Sequence, residues 1–371
     1  MGSLEPLEGR RLFTALVHQE LHRPPTAIAD VNRDGLADVV VVTEQARRGG
    51  AGAAIGFDVY LGDGKGGLRL SAHTDCDDGD ADSVVSAIAV GDLTGDGVPD
   101  VALKLFSVTG QPAPVGRSKT TEAKVVLFVG GDPDSDNDGK DDTEFTRRDT
   151  FVIPHVLDTD GSKRTWVMPH VLETSGLAIG DVNGDRQADL VSWLGDNVVT
   201  VPSEGKGVFG KPVSEDAGFA ATSTRGDFHI AGLGDLNGDG RADLIAYDQD
   251  APIVIVRGWD PKTKQAVLGT VDASPATGKG KVDELLIGDL DGDGRADDLV
   301  VVSGDRYTVG RNDTQPGSEP LYSFSWGVHN GPFSARLVNV AVGNVTGDKV
   351  DDVFTLNFKG HRYIGTVTIV K

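Results

Sequence analysis

The sequence predicts an all-β protein, a single β-propeller of four-stranded antiparallel blades. Three observations predict it: an acidic twelve-residue motif recurs six times, short apolar runs flank each copy, and the chain is rich in glycine and poor in aromatic residues. Fifty glycines, about twice the usual share, and only 6% aromatic residues mark many tight turns between strands of Val, Leu, Ile and Ala.

The copies read "ADVNRDGLADVV" from Ala29, "GDLTGDGVPDVA" from Gly91, "GDVNGDRQADLV" from Gly180, "GDLNGDGRADLI" from Gly234, "GDLDGDGRADDL" from Gly288 and "GNVTGDKVDDVF" from Gly343. Their first positions, Asp30, Asp92, Asp181, Asp235, Asp289 and Asn344, are separated by 62, 89, 54, 54 and 55 residues. The unit is therefore about 54 residues, and one interval carries an insertion of about 35. Although 371 residues suffice for two or three domains, so regular a repeat implies one, because each unit buries its core against its neighbours. Residues 1–10 are expected to be a flexible N-terminus and residues 11–371 the propeller, with an acidic-loop and hairpin insertion at about 132–174.

A net charge of −22 opposes approach to nucleic acid phosphates or anionic lipid and favours cations as ligands. Cys76, the single cysteine, allows no intramolecular disulfide. No apolar run reaches the length of a membrane span, so membrane insertion is not expected. "MGSLEPLEGRR" offers no hydrophobic signal, so a native signal is expected to have been removed.

The motif spacing identifies the cation. Position 1 holds Asp30, Asp92, Asp181, Asp235 or Asp289; position 3 holds Asn32, Thr94, Asn183, Asn237 or Asp291; position 5 holds Asp34, Asp96, Asp185, Asp239 or Asp293; position 9 holds Asp38, Asp100, Asp189, Asp243 or Asp297. Calcium takes six to eight oxygens at about 2.3–2.6 Å, and a short loop supplies them by curling around the ion. Position 7, occupied by Leu36, Val98, Gln187, Arg241 or Arg295, would add its backbone carbonyl. Glycine at position 6 permits the positive φ of the turn. Asp, Asn and Gly are good turn formers in any loop, but five copies in one register ask for more than turn chemistry. About five calcium ions are expected, which would move the net charge from −22 to −12.

The copies are not equal. Arg186 replaces the position-6 glycine of the third and should strain its turn, while Asn344, Thr346 and Lys349 leave the sixth only Asp348 and Asp352 in register, a vestigial loop. An EF-hand would place a glutamate at position 12 between two helices. Here strand-like runs such as "SAIAVGDL" and "DVALKLF" flank the loop, which makes it a hairpin connection.

After each motif come further apolar runs, as in "DVVVV", "GFDVYLGDGKGG" and "LRLSAH" of the first unit, giving four short strands per unit. These units resemble the FG-GAP or VCBS repeats of the integrin α-subunit propeller family. That resemblance implies a calcium-binding hairpin between strands 1 and 2 of each blade, and a "V-x-L-G-x-G-x-G-x-F" hairpin between strands 3 and 4. Val59–Leu68, "VYLGDGKGGL", matches the second hairpin, and Val201–Gly210, "VPSEGKGVFG", matches it loosely. The last motif is followed by only two strands, so "RRLFTALVHQEL" near the N-terminus is expected to complete a sixth blade, removing two exposed edges. Seven blades is the alternative, if the long interval hides a degenerate one.

Within that interval Asp134, Asp136, Asp138 and Asp142 repeat the ligand spacing and resemble a thrombospondin type 3 calcium repeat, a candidate for one more ion; a solvated acidic loop is the other reading. "VIPHVLDT" and "VMPHVLET" suggest an extended hairpin from the second blade, across which His155 and His170 would meet.

No glycine-flanked nucleophilic serine, zinc-type histidine pair or phosphate-cradling loop is present, so no catalytic residue is assigned. The sequence reads as a calcium-binding extracellular module for a glycan or protein partner, monomeric, and secreted or displayed at the cell surface. The alternatives are a polysaccharide lyase or hydrolase with a dispersed site, or a purely structural module. The resemblance implies that partners typically use the face opposite the calcium loops, which here carries longer loops from Thr43, Ser107, Ser214 and Val328, with Arg47, Arg48, Arg117, Lys119 and Lys124 making part of its rim basic. The "RGD" at Arg225–Asp227 is too short a match to carry an adhesion role.

Overall fold

The computed structural model describes residues 25–368, apart from 47–52, 65–66, 77–82, 108–119, 132–144, 157–174, 224–227, 249, 261–264, 279, 315–321, 331–335, 345–349 and 360–361. Each motif turns the chain between the first two strands of an antiparallel sheet, and the next two strands follow in sequence order. Blade 1 contains β1 (Thr26–Ala29), β2 (Asp38–Ala46), β3 (Ala53–Gly62) and β4 (Leu68–Cys76). Blade 2 contains β5 (Ser83–Gly91), β6 (Asp100–Ser107), β7 (Thr120–Gly130) and β8 (Phe145–Val156). Blade 3 contains β9 (Ser175–Gly180), β10 (Asp189–Leu194), β11 (Asn197–Val201) and β12 (Val213–Asp216). Blade 4 contains β13 (Phe228–Gly234), β14 (Asp243–Asp248), β15 (Ile253–Asp260) and β16 (Gln265–Asp272). Blade 5 contains β17 (Glu284–Gly288), β18 (Asp298–Ser303), β19 (Arg306–Asn312) and β20 (Phe324–Asn330). A last sheet contains β21 (Arg336–Gly343), β22 (Asp352–Lys359) and β23 (Arg362–Thr368). The helices α1 (Phe219–Thr222) and α2 (Ser274–Thr277) are single turns, and among the described residues no helix is long and apolar enough to cross a membrane.

The protein is thus an all-β propeller of four-stranded antiparallel blades. Five sheets have four strands, and the sixth shows three among the described residues. The N-terminal strand expected to complete it lies outside those residues, as do the acidic loop Asp134–Asp142, His170 and the Arg225–Asp227 tripeptide. Val152–Val156, within the first of the two related histidine runs, belongs to the end of β8.

The core lies between blades, because the inner strands of each sheet are apolar on both faces and each face packs against a neighbouring sheet, while outer strands such as β12 are exposed. Val40, Phe57 and Val59 of blade 1 pack against Val101, Leu103 and Phe128 of blade 2, all fully buried. Phe57 meets Phe128 and Phe145 edge-on at 5.1 and 5.4 Å, and burying one such ring contributes about 1.5–3 kcal/mol. Equivalent clusters join blades 2 and 3, 3 and 4, 4 and 5, and 5 and the last sheet.

One buried lysine interrupts this packing. Lys104 of β6 is fully buried, and its Nζ donates to the Trp193 carbonyl of blade 3 at 2.6 Å and faces the Phe106 ring at 5.3 Å. Burial lowers its pKa well below the usual lysine value.

Neighbouring motif loops are tied directly. The N–H at position 8 of one loop donates to the position-1 carbonyl of the preceding one in Ala242 to Asp181, at 2.7 Å, and in Asp351 to Asp289, at 2.7 Å. Ala37 donates likewise to Asn344 at 2.8 Å, and Gly343 lies against Ile28, so the last sheet abuts blade 1 and the ring closes.

Candidate metal centres

Each motif loop is organised by carboxylates that accept backbone N–H groups. Asp30 accepts from Asp34 at 3.1 Å and Gly35 at 2.9 Å. Asp92 accepts from Gly95, Asp96 and Gly97 at 2.7, 3.1 and 2.8 Å. Asp181, Asp235 and Asp289 repeat the arrangement in their own loops. The position-5 carboxylates Asp34, Asp96, Asp185, Asp239 and Asp293 each accept the N–H of position 7, at 2.8–2.9 Å. At position 3, Asn32, Asn183, Asn237 and Asp291 accept the N–H of position 5. A carboxylate has about four lone-pair sites, so accepting one to three N–H groups leaves it capacity for a cation.

The position-9 carboxylates are the deepest. Asp38 and Asp100 are fully buried and join the loop to the third strand of their blade: Asp38 accepts from Val31 and Gly62, and Asp100 from Leu93, Thr94 and Gly130. Asp189 accepts from Val182 and Ser203.

The fifth loop differs from its spacing. Gly288 pairs with Asp298, where the other loops pair the equivalent residue with position 9, as Gly234 does with Asp243. Asp298 accepts from Leu290 and Asn312 as Asp38 does from Val31 and Gly62. The residue taken from spacing, Asp297, instead faces Asn312 Nδ2 at 3.1 Å and Arg295 at 3.3 Å. This loop is one residue longer, so the slot passes to the next aspartate.

Asp289, Asp291 and Asp298 bring ligand oxygens within 4.8 Å of one another, and they form the one such acidic group among the described residues. The fifth loop alone of the five has a carboxylate at position 3; the others place an amide or hydroxyl there. Two further oxygens are placed to serve as cation ligands. Thr94 Oγ1 at position 3 of the second loop and Asp243 Oδ1 at position 9 of the fourth are buried and have no hydrogen-bond partner among the described residues. Leaving such an atom unbonded costs about 1–3 kcal/mol, a cost that coordination would offset. Gly258 lets the fourth loop close: a Cβ there would come within 2.8 Å of Asp243 Oδ1 and 2.7 Å of the Tyr322 hydroxyl.

Electrostatics agree with the burial. Burial, with the charges of Asp239 and Asp235, pushes Asp243 up to about 8, and burial pushes Asp38, Asp100 and Asp298 up to about 6 and Asp297 to about 7. Each ionises at higher pH folded than unfolded, where the value is near 3.8. The folded chain therefore holds more protons, and the stability present below about pH 4 is lost as pH rises through the folded values. The chelator-treated protein is expected to melt at progressively lower temperature from about pH 5 to about pH 8, with calcium flattening the trend. A melting temperature that rises across this range without calcium would contradict the reading.

Arg186 adopts φ +70° at the third loop's position 6, where the second, fourth and fifth loops place glycine at +85°, +83° and +90°. A non-glycine residue in this region costs about 1–2 kcal/mol. Arg186→Gly is accordingly expected to raise stability by about 1 kcal/mol in denaturant titrations; an unchanged or lower midpoint would show that the arginine side chain compensates. Asn344 links to Ala37, and Asp352 pairs with Gly343; Thr346, Asp348 and Lys349 lie outside the described residues.

Several features of the site have no local sequence signal: the role of Asp298, the inter-loop contact of Asp351, whose Oδ2 accepts the Asp289 N–H at 2.9 Å, and the contact of Arg241 with the Trp259 ring at 4.7 Å. On the opposite face, Lys124 lies within β7, while Arg47, Arg48, Arg117 and Lys119 lie outside the described residues.

Residues 30–103 match the family model of the FG-GAP-like repeat, a span that contains the first two motif loops. No curated protein matches the chain in sequence. Among solved structures, the chain is similar to a chain of the Photorhabdus luminescens Tc holotoxin pore, with 15% identity, TM-score 0.46, and coverage of 93% of this chain and 14% of that one. It is similar to an Agrocybe aegerita lectin that recognises non-reducing terminal N-acetylglucosamine, with 15% identity, TM-score 0.41, and coverage of 94% and 86%. A third similarity is to the rhamnogalacturonan lyase YesW, with 14% identity, TM-score 0.41, and coverage of 94% and 72%.

Proposed function

We propose, for a propeller that carries FG-GAP-like repeats, that the chain is a calcium-stabilised binding module working outside the cytosol. The observation that carries the reading is the oxygen chemistry of the loops: the Asp289, Asp291 and Asp298 group, with the buried oxygens of Thr94 and Asp243, offers a hard cation only oxygen ligands. Asp30, Asp92, Asp181, Asp235 and Asp289, with their position-3, -5 and -9 partners, would hold about five ions, Asp298 serving in the fifth loop. When bound, calcium supplies charge neutralisation and rigidity, not chemistry on a substrate.

The loops between strands 1 and 2 share one end of the ring, and the longer loops share the other. A glycan or protein partner at that second end fits a platform whose first end is stiffened by ions. The platform is read as six blades, the last completed by the N-terminal strand, and as a monomer. Loops of extracellular modules bind calcium at about 10⁻⁴–10⁻³ M, far above free cytosolic levels, which supports a secreted or surface-displayed protein.

Calcium titration by calorimetry tests the sites, and a glycan array with a protein pull-down, each with calcium and with chelator, tests the partner. Asp239→Ala should remove one ion from the count; an unchanged count would show that the fourth loop is empty in solution. Partner binding that survives chelation, with all five sites confirmed, would separate recognition from the ions.

A further inference from the structure

We infer that Asp351, from the sixth motif loop, is a positioning residue for the fifth metal centre: its carboxylate fixes the backbone of Asp289, so that a loop not counted among the ion sites sets the affinity of its neighbour. The inference rests on the calcium reading proposed above.

Position 8 is where one loop touches the loop before it. The first five motifs carry Ala37, Pro99, Ala188, Ala242 and Ala296 there, none with a polar side chain, and the sixth alone carries an acid, Asp351. The side chain at this position faces the residue just before position 1 of the preceding loop. A Cβ at Gly180 would lie 3.3 Å from the Ala242 methyl, and one at Gly343 would lie 3.9 Å from the Ala37 methyl. A Cβ at Gly288 would instead lie 2.8 Å from Asp351 Oδ2, so Gly288 leaves the room that the carboxylate occupies.

Asp351 grips both backbone polar groups of Asp289. Its N–H donates to the Asp289 carbonyl at 2.7 Å, and its Oδ2 accepts the Asp289 N–H at 2.9 Å. Ala242 and Ala37 make the first kind of bond to Asp181 and Asn344, but a methyl group cannot make the second. The Asp351 carboxylate also takes a hydrogen bond from the Asn344 backbone, which ties position 1 of the sixth loop to position 1 of the fifth. Val350, the residue before it, packs on the same neighbour: a Cβ at Gly292 would lie 2.9 Å from Val350 Cγ2.

What is held in this way is the residue that organises the fifth loop. The Asp289 carboxylate accepts the N–H groups of Gly292, Asp293 and Gly294 at 2.7, 3.1 and 2.9 Å, and its oxygens lie with those of Asp291 and Asp298. A backbone fixed at both its N–H and its carbonyl leaves less to be ordered when a cation arrives. Asp351 also repels the Asp289 carboxylate, and a cation held by Asp289 would relieve that repulsion. Groups that orient metal ligands in this manner typically change affinity 10–100-fold when removed.

Calcium titration of the full chain by calorimetry tests the inference, with Asp291→Ala marking which affinity belongs to the fifth site. Asp351→Ala should weaken that one site by at least ~10-fold and leave the others unchanged. Asp351→Asn keeps an acceptor oxygen for the Asp289 N–H, so it should recover part of the loss, and it covers the case of an alanine variant that does not fold. Added to Asp291→Ala, Asp351→Ala should alter no remaining affinity. In chelator, the amides of Gly292 and Gly294 should exchange ~10-fold faster in Asp351→Ala, with that of Gly184 unchanged. Five wild-type affinities retained in Asp351→Ala, weakening that persists on the Asp291→Ala background, or equal exchange of Gly292 would each overturn the inference and leave the calcium reading standing. A wild-type chain that takes up no calcium would overturn both.

Discussion

Removal of calcium is expected to lower the melting temperature by ~9 °C, the largest effect available without changing a residue. A site at ten times its dissociation constant contributes RT ln 11, about 1.4 kcal/mol, so five sites contribute about 7 kcal/mol. With an unfolding entropy of about 2.1 cal/mol/K per residue, 371 residues give about 0.8 kcal/mol per degree, which sets the shift. Calorimetric scans at matched ionic strength, with calcium and with chelator, measure it. Superimposable scans would mean that the loops are held by their carboxylate–amide hydrogen bonds alone and that the charge serves no ion.

The largest single-residue effect is expected at Asp100. Asp100→Ala strips the acceptor from Leu93, Thr94 and Gly130, whose N–H groups bond to this one buried carboxylate at 2.9, 2.9 and 3.1 Å. Each unbonded buried group costs about 1–3 kcal/mol, and partial relaxation brings the sum to about 3–5 kcal/mol. The loss should persist in chelator, since these bonds involve no ion, and Asp96→Ala, which loses one partly buried bond, should cost far less there. A loss at Asp100 that vanishes in chelator would reassign the residue from joining strands to binding metal alone.

The sequence by itself determined the propeller, its repeat and the turning points of its blades. A hairpin is local: apolar runs on either side of an Asp- and Gly-rich loop fold back on each other whatever surrounds them, as Gly91 pairs with Asp100 and Gly180 with Asp189. The positive φ of Arg186 was legible for the same reason, because the turn closes within the loop.

Tertiary structure alone decided which oxygen serves at each slot and what lies between blades. Asp297 and Asp298 are equivalent by composition, and the choice falls to Asp298 because the amide that needs an acceptor comes from Asn312, on another strand. Lys104 sits in "DVALKLF" where alternation offers no sign of burial, and its carbonyl partner is Trp193, 89 residues away on the next blade. Asp351 bonds to Asp289 in the neighbouring loop, 62 residues earlier. Spacing along a chain encodes contacts within a turn; contacts between turns depend on which strands the ring brings together, and only the folded packing supplies those.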